Sequence, residues 1–222
     1  MTTNKSITTL GAVAMVCLFA MPLQAGKITG FSWTNGIISI AGITPPASVT
    51  VNNDDVSGDS PNELQILQKD FGTVGYIDIE FTVMDTGGVT EYAIIEGVQN
   101  SSGLDWASYH VQLGFGTGSG FEISDPGDDL DFDAPFYNST IQFDPSLLFS
   151  FPTVTMSEDV LVASGGPGQL NGQYNEPFVY HIDVPDGITT FTLRQFPVAV
   201  IPEPTSVALL LLASLSMVAI RR

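Results

Sequence analysis

From residue 75 to residue 84 the chain reads G-Y-I-D-I-E-F-T-V-M, with Ile77, Ile79, Phe81 and Val83 alternating with Asp78, Glu80 and Thr82. A period of two with one apolar face predicts a half-buried strand. Asp85 to Gly88 are turn formers, and a β-rich run resumes from Val89 to Val98, so the pair reads as a hairpin. A second alternation places Tyr109, Val111, Leu113 and Phe115 on one face and Ser108, His110 and Gln112 on the other. Phe178 to Val184 and Ile188 to Phe196 flank Pro185, Asp186 and Gly187. Proline presets a turn's first corner and glycine takes a left-handed one, which predicts another hairpin.

Weaker strands are expected at Ile37 to Ile40, Val49 to Val51, Phe121 to Ser124, Tyr137 to Phe143 and Leu148 to Met156. Asn62 to Lys69 reads as briefly helical, and the Gly- and Pro-rich stretch from Ser164 to Glu176 as a long loop. No internal repeat is visible. Many short strands punctuated by glycine and proline predict an all-β domain, an antiparallel β-sandwich of jelly-roll-like or Ig-like type.

The two ends are patterned differently. Lys5 precedes an apolar run from Leu10 to Ala20, followed by Pro22 and the small residue Ala25 just before Gly26. A basic start, a core of about 11 apolar residues and a small residue at the cut make a signal peptide, too short to be a spanning helix. Cys17, the single cysteine, follows Val16 inside the apolar core and is read as filler rather than a lipid-modified residue. Its removal with the signal leaves a chain that no disulfide can staple. At the other end Pro202, Glu203 and Pro204 precede an apolar run from Val207 to Ile220, closed by Arg221 and Arg222. Prolines on both sides of Glu203 hold an extended, accessible strip. The helix behind it, roughly 24 Å long at 1.5 Å per residue, just spans a bilayer with the arginines on the cytoplasmic side.

These residues resemble the PEP-CTERM sorting signal: Pro-Glu-Pro, a short transmembrane helix and a terminal arginine cluster. The resemblance implies an exosortase that cleaves at the motif and releases or re-anchors the protein, in Gram-negative bacteria that make exopolysaccharide. The sorting residues it implies are Pro202, Glu203, Pro204, Arg221 and Arg222. The expected organisation is therefore a signal peptide at 1–25, with its signal helix, a β-sandwich ectodomain at 26–196, a linker with the motif at 197–204, and a C-terminal transmembrane sorting helix at 205–222. Export calls for the Sec translocon and signal peptidase as partners. Two further stretches, N-S-S-G-L-D-W-A-S-Y-H-V-Q-L from Asn100 to Leu113 and F-T-L-R-Q from Phe191 to Gln195, resemble ectodomains found ahead of such tails. In that setting Trp106 packs at the start of its strand and Arg194 forms an inner or edge ion pair.

Charge narrows the partners. The net charge is −18, and between Gly26 and Ile201 only Lys27, Lys69 and Arg194 are basic, against 23 acids. Such a surface repels phosphate backbones, so nucleic acid is not expected. It also repels acidic polysaccharide unless a divalent cation bridges the two. With 44% of residues apolar and 10% aromatic, the chain can still bury a core.

Candidate chemistry is sparse. The histidines His110 and His181 each sit in an alternating strand, where an ordinary hydrogen-bonded role is expected, and the chain carries no nucleophile motif, metal-binding histidine motif or phosphate loop. Carboxylates are abundant, but a glycosidase needs two at a defined separation that spacing in sequence does not establish. The sharpest local constellation is D-P-G-D-D-L-D-F-D, which gathers Asp125, Asp128, Asp129, Asp131 and Asp133 in one loop. Hard carboxylate oxygens on a flexible turn suit calcium, although the spacing is not that of an EF-hand and a solvated acidic loop is the alternative. Residues 52–59 form a second, less patterned acidic loop. Sequons at Asn100 and Asn138 matter only in a host that glycosylates them. The expectation is a non-enzymatic surface or matrix protein, structural or adhesive among exopolysaccharide. The alternative is a carbohydrate-binding module or polysaccharide hydrolase built on exposed Trp33, Trp106, Tyr109 or Tyr174.

Overall fold

The computed structural model describes residues 26–34, 38–49, 62–84, 89–132 and 150–200. The signal peptide, the Pro-Glu-Pro motif, the sorting helix, the second acidic loop, Asp133, Asn138 and the strand expected at Tyr137 to Phe143 all lie outside the described residues. Among the described residues, no helix is long and apolar enough to cross a membrane.

In chain order the strands are β1 (Lys27–Thr34), β2 (Ile38–Ile40), β3 (Ile43–Thr44), β4 (Glu63–Phe71), β5 (Ile77–Met84), β6 (Thr90–Asn100), β7 (Trp106–Phe115), β8 (Glu122–Ile123), β9 (Asp131–Phe132), β10 (Thr153–Met156), β11 (Val160–Gln169), β12 (Tyr174–Val184) and β13 (Thr190–Ala199). They form two sheets. Sheet A runs β1-β5-β13-β7-β11-β10, with β8 against β7; sheet B runs β2-β4-β6-β12-β9, with β3 against β4. The alternation read in β5 holds, because its odd-numbered residues are all buried against the facing layer. The same parity buries Tyr109, Val111 and Leu113 of β7 and Phe191 and Leu193 of β13. Facing them are Leu64, Ile66, Phe71, Tyr92, Ile94, Val98, Phe178, Ile182 and Val184 of sheet B, within one apolar cluster. Phe71 meets Tyr109 edge-on at 5.9 Å, and Tyr109 meets Phe178 at 5.8 Å, so aromatic contacts join the layers. Each such side chain, fully buried, contributes about 1.5–3 kcal/mol.

The all-β expectation holds, but its connections do not. β5 pairs with β1 and β13, whereas β6 pairs with β4 and β12, so the two strands expected to form a hairpin belong to different sheets. The Pro185–Gly187 turn likewise joins β12 of sheet B to β13 of sheet A. Turn chemistry dictates that the chain reverses, not which partner the strand then takes. Because β5 lies in the other layer, β4 and β6 run parallel, the exception in an otherwise antiparallel pairing among the described strands.

Four local expectations are also affected. The stretch read as helical is most of β4, and of the strand expected at Val49 to Val51 only Val49 is described, outside any strand. The stretch read as a loop from Ser164 is strand as far as Gln169, with β12 starting at Tyr174. There Ser164 pairs with Ser108 and Gln169 with Trp106, and the glycines absorb the irregularity between them. Gly168 has φ of 73°, and a Cβ on it would stand 1.9 Å from the Trp106 carbonyl oxygen, so glycine is required. Finally, the expected linker from residue 197 begins later. Pro197, Val198 and Ala199 still pair with β7, and the Val200 amide donates to the Asp105 carbonyl at 2.7 Å.

Candidate functional site

The inner face of β4 is interrupted by its own irregularity. Ile66 pairs with Glu96 and Lys69 with Val98, so β4 spends three steps where β6 spends two. That is one extra residue, a bulge, and it moves the inward parity from Leu64 and Ile66 to Lys69 and Phe71. Lys69 therefore points into the core. Glu96 follows the parity of Tyr92 and Ile94 on β6, Tyr180 that of Phe178 on β12, and Gln195 that of Phe191 and Leu193 on β13. Lys69, Glu96, Gln195, Tyr109 and Tyr180 converge between the sheets, each at most 1% exposed.

Their polar atoms form one connected cluster. Lys69 Nζ stands 2.6 Å from Glu96 Oε2, donates to the Tyr109 hydroxyl at 3.2 Å, and also donates to Gln195 Oε1. Gln195 Nε2 donates to Glu96 Oε2 at 2.9 Å and to the Tyr180 hydroxyl at 2.8 Å. The Tyr109 hydroxyl donates to Gln195 Oε1 at 3.3 Å, and that of Tyr180 to Glu96 Oε2 at 3.2 Å. Glu96 Oε1 has no hydrogen-bond partner among the described residues. Burial outweighs the attraction of Glu96 and pushes the Lys69 amine down to about 8. Burial, reinforced by the Glu96 charge, pushes both tyrosine hydroxyls well up. A lysine that gives up its proton more readily than usual, beside a carboxamide and a carboxylate, is chemically equipped for acyl transfer to its nitrogen.

The residues singled out in the sequence fall elsewhere. His110 lies on the outer face of sheet A, stacked on Phe196 at 4.8 Å with Nε2 2.8 Å from Ser108 Oγ, and burial pushes it below its ordinary value. His181 lies on the outer face of sheet B, with Nδ1 2.5 Å from Glu91 Oε1. The two histidines thus face away from each other. Trp106 and Tyr109 are buried and leave the proposed aromatic platform, while Trp33 (41% exposed) and Tyr174 (38%) remain at the surface. Trp106 packs at the start of its strand as the resemblance implied, its ring nitrogen donating to Ser102 Oγ at 2.9 Å. Asn100 is buried, its amide nitrogen donating to the carbonyls of Leu104 and Gln169, so its sequon is closed in the folded chain.

Within the acidic loop, Asp128 Oδ1 accepts from Ser124 Oγ at 2.6 Å and from the Leu130 amide at 3.0 Å, while Oδ2 accepts from the Asp125 amide at 3.1 Å. Asp125 Oδ1 accepts from the Gly127 amide at 2.8 Å. Asp129 takes the left-handed conformation, φ 57°, and Asp131 opens β9 opposite Asp183. Asp159, which sequence spacing did not associate with this loop, is pushed up by burial and then by Asp128, Glu158 and Asp125. Among the described residues, no three acidic, histidine or cysteine side chains converge in a geometry that could hold a metal.

Arg194 makes an ion pair with Asp78 on the outer face of sheet A, its Nε and a terminal nitrogen at 2.7 and 2.8 Å from the two carboxylate oxygens. Its guanidinium lies between the rings of Tyr76 and Phe121, at 4.2 and 4.0 Å from their centroids. The cluster around Lys69 was missed, though one signal pointed to it: Glu96 and Gln195 are polar residues at positions where the strand parity demands apolar ones. No protein-family model, curated protein or solved structure matches the chain.

Proposed function

We propose that this chain is an exported bacterial surface or extracellular-matrix protein, sorted by an exosortase-type system and structural or adhesive in association with exopolysaccharide. The sorting half rests on Pro202, Glu203, Pro204 and the terminal arginines. The structural half rests on one observation: among the described residues, the connected polar cluster around Lys69 is sealed within the apolar layer, where no external substrate reaches. On this reading the described residues form a β-sandwich whose last strand leads directly to the sorting motif. β13 is gripped on both sides, by β5 and β7, so tension on the tail enters the middle of a sheet rather than its edge. A C-terminal tag, followed by intact mass of the protein recovered from the cell surface, tests the sorting. Loss of the tag and of the apolar tail is expected; a mature product that keeps both overturns exosortase processing.

A second reading, a carbohydrate-binding module or hydrolase, draws on Trp33, which is exposed and stacked on Phe31 at 6.2 Å. Exposed aromatic faces are what sugar rings pack against. Binding on a glycan array that is lost in Trp33→Ala would favour it, and a blank array would favour the structural role.

A further inference from the structure

The geometry points to a self-made covalent cross-link: the Lys69 amine attacks the side-chain carbonyl carbon of Gln195, forming an isopeptide bond between β4 and β13 and expelling ammonia. It is a modification that the chain performs on itself once, and it holds whether or not the surface role proposed above is right.

Every participant in the reaction is already in contact. Lys69 Nζ is hydrogen-bonded to Gln195 Oε1, one bond from the carbon it must attack, and to Glu96 Oε2 at 2.6 Å. The Lys69 ammonium first passes a proton to Glu96, leaving an amine with a free electron pair. That pair forms the new bond to the Gln195 side-chain carbon, and the carbonyl π electrons move onto Oε1. The Tyr109 hydroxyl, donating to Oε1 at 3.3 Å, stabilises the developing oxyanion. Glu96 Oε2 also lies 2.9 Å from Gln195 Nε2, the leaving nitrogen. The protonated carboxyl gives its proton to that nitrogen, the electrons on Oε1 re-form the carbonyl, and the bond from carbon to Nε2 breaks. The attacking nitrogen yields its extra proton to Glu96, which hands it to the departing ammonia. In sum, an ammonium and a carboxamide become a secondary amide and an ammonium ion, with Glu96 returned as a carboxylate. No oxidant, metal or nucleotide is required.

Three physical features favour the step. Burial lowers the cost of making the amine neutral, consistent with a Lys69 value near 8. Exclusion of water removes the competing hydrolysis. Holding the reactants in contact supplies an effective concentration on the order of 10⁵ M or more. The distribution of cations is consistent too: between residues 26 and 201 three basic residues face 23 acids, yet one lysine is fully buried. A buried ion pair alone is a poor source of stability.

Trypsin reads the outcome directly. In the mature full chain, denatured before digestion, cuts after Lys27, Lys69 and Arg194 should release 28–69, 70–194 and a piece starting at Gln195. The linked chain is expected to resist cleavage after Lys69 and to keep the Gln195 piece attached, the whole lighter by one ammonia. Separate peptides carrying an unmodified Lys69 and Gln195, from wild-type protein with a β-rich circular dichroism spectrum, overturn the proposal. Glu96→Gln should abolish the link; undiminished linkage in that variant overturns the role of Glu96. Because that variant can also fail to fold, Tyr109→Phe provides the second test. It removes one hydroxyl and should slow linkage by about tenfold or more, followed in time after cell-free synthesis of the full chain. An unchanged rate overturns the assignment of Tyr109 as oxyanion donor.

Discussion

Arg194 and Gln195 are neighbours on one strand, and each completes a charged cluster on an opposite side of sheet A. Outside, Arg194 and Asp78 are direct cross-strand partners, held by two parallel hydrogen bonds and flanked by aromatic rings. The Gly118 amide donates to Asp78 at 2.6 Å, and Arg194 donates to the Gly118 carbonyl at 2.7 Å, so the pair also pins the 3-10 turn Gly118–Gly120. Inside, Lys69 and Glu96 share their core with a carboxamide and two phenols. The outer pair is 16% exposed on the arginine side; the inner pair is wholly dry. An arginine fork with a matching carboxylate completes itself by geometry. A lysine is a point charge whose proton can be taken away, so the inner cluster has a reaction open to it that the outer one lacks.

The difference can be broken open by substitution. Glu96→Ala leaves the Lys69 amine buried without a counter-charge and is expected to cost about 3–5 kcal/mol, a fall in melting midpoint of roughly 10 °C or more. Thermal denaturation followed by circular dichroism measures it, and a fall of only a degree or two would show that water reaches the cluster. Asp78→Asn is milder, because Arg194 keeps some solvent and its aromatic flanks. A loss of about 2 kcal/mol is expected, with faster hydrogen exchange at the Gly118 amide as the local signature. Equal losses in the two variants would erase the distinction between the clusters.

Calcium gives a smaller effect. Asp128 already spends both oxygens on Ser124 and the loop backbone, so a cation must compete with three hydrogen bonds before it gains a ligand. A melt in millimolar calcium against chelator is expected to move the midpoint by no more than about 2 °C. A rise of several degrees that Asp128→Asn abolishes would establish a specific site. The smallest expected effect is an absence. A free Lys69 binds its proton more weakly folded, about 8, than unfolded, 10.5, so between those values the unfolded chain holds more protons and stability climbs with pH. An amide nitrogen does not titrate. Urea midpoints of wild-type protein are therefore expected to show no climb above pH 8, and a climb there would mean that Lys69 is still an amine.

How much of this was legible depended on whether the period of two ran unbroken. β5, and β7 from Tyr109 onward, carry apolar residues at every inward position, and both were read directly from the sequence. β4 was not, because its bulge after Ile66 leaves Leu64, Leu67, Ile66 and Lys69 at spacings of three, which imitate a helix. The glycines at 165, 166 and 168 do have positive φ, as a loop composition suggests, yet pairing at Ser164 and Gln169 carries β11 through them. The Arg194 ion pair was anticipated from the resemblance, while Gln195 beside it went unnoticed. A polar residue at an inward position acquires meaning only when another strand supplies its partner. Here the partners are 126 residues away at Lys69 and 99 away at Glu96, distances over which local pattern carries no information.

Those separations also fix an order in time. Lys69 and Glu96 lie on adjacent strands that are made early in synthesis, but Gln195 belongs to the last of the described strands. The amine and its carboxylate must wait beside an unfilled place until the C-terminal strand has been made and has docked between β5 and β7. A chain truncated or stalled before residue 190 keeps its lysine free, and only a chain that carries β13 can become permanently closed. The bond would thus serve as a receipt for a completed fold, and, under the sorting proposed above, one written before the tail is cut.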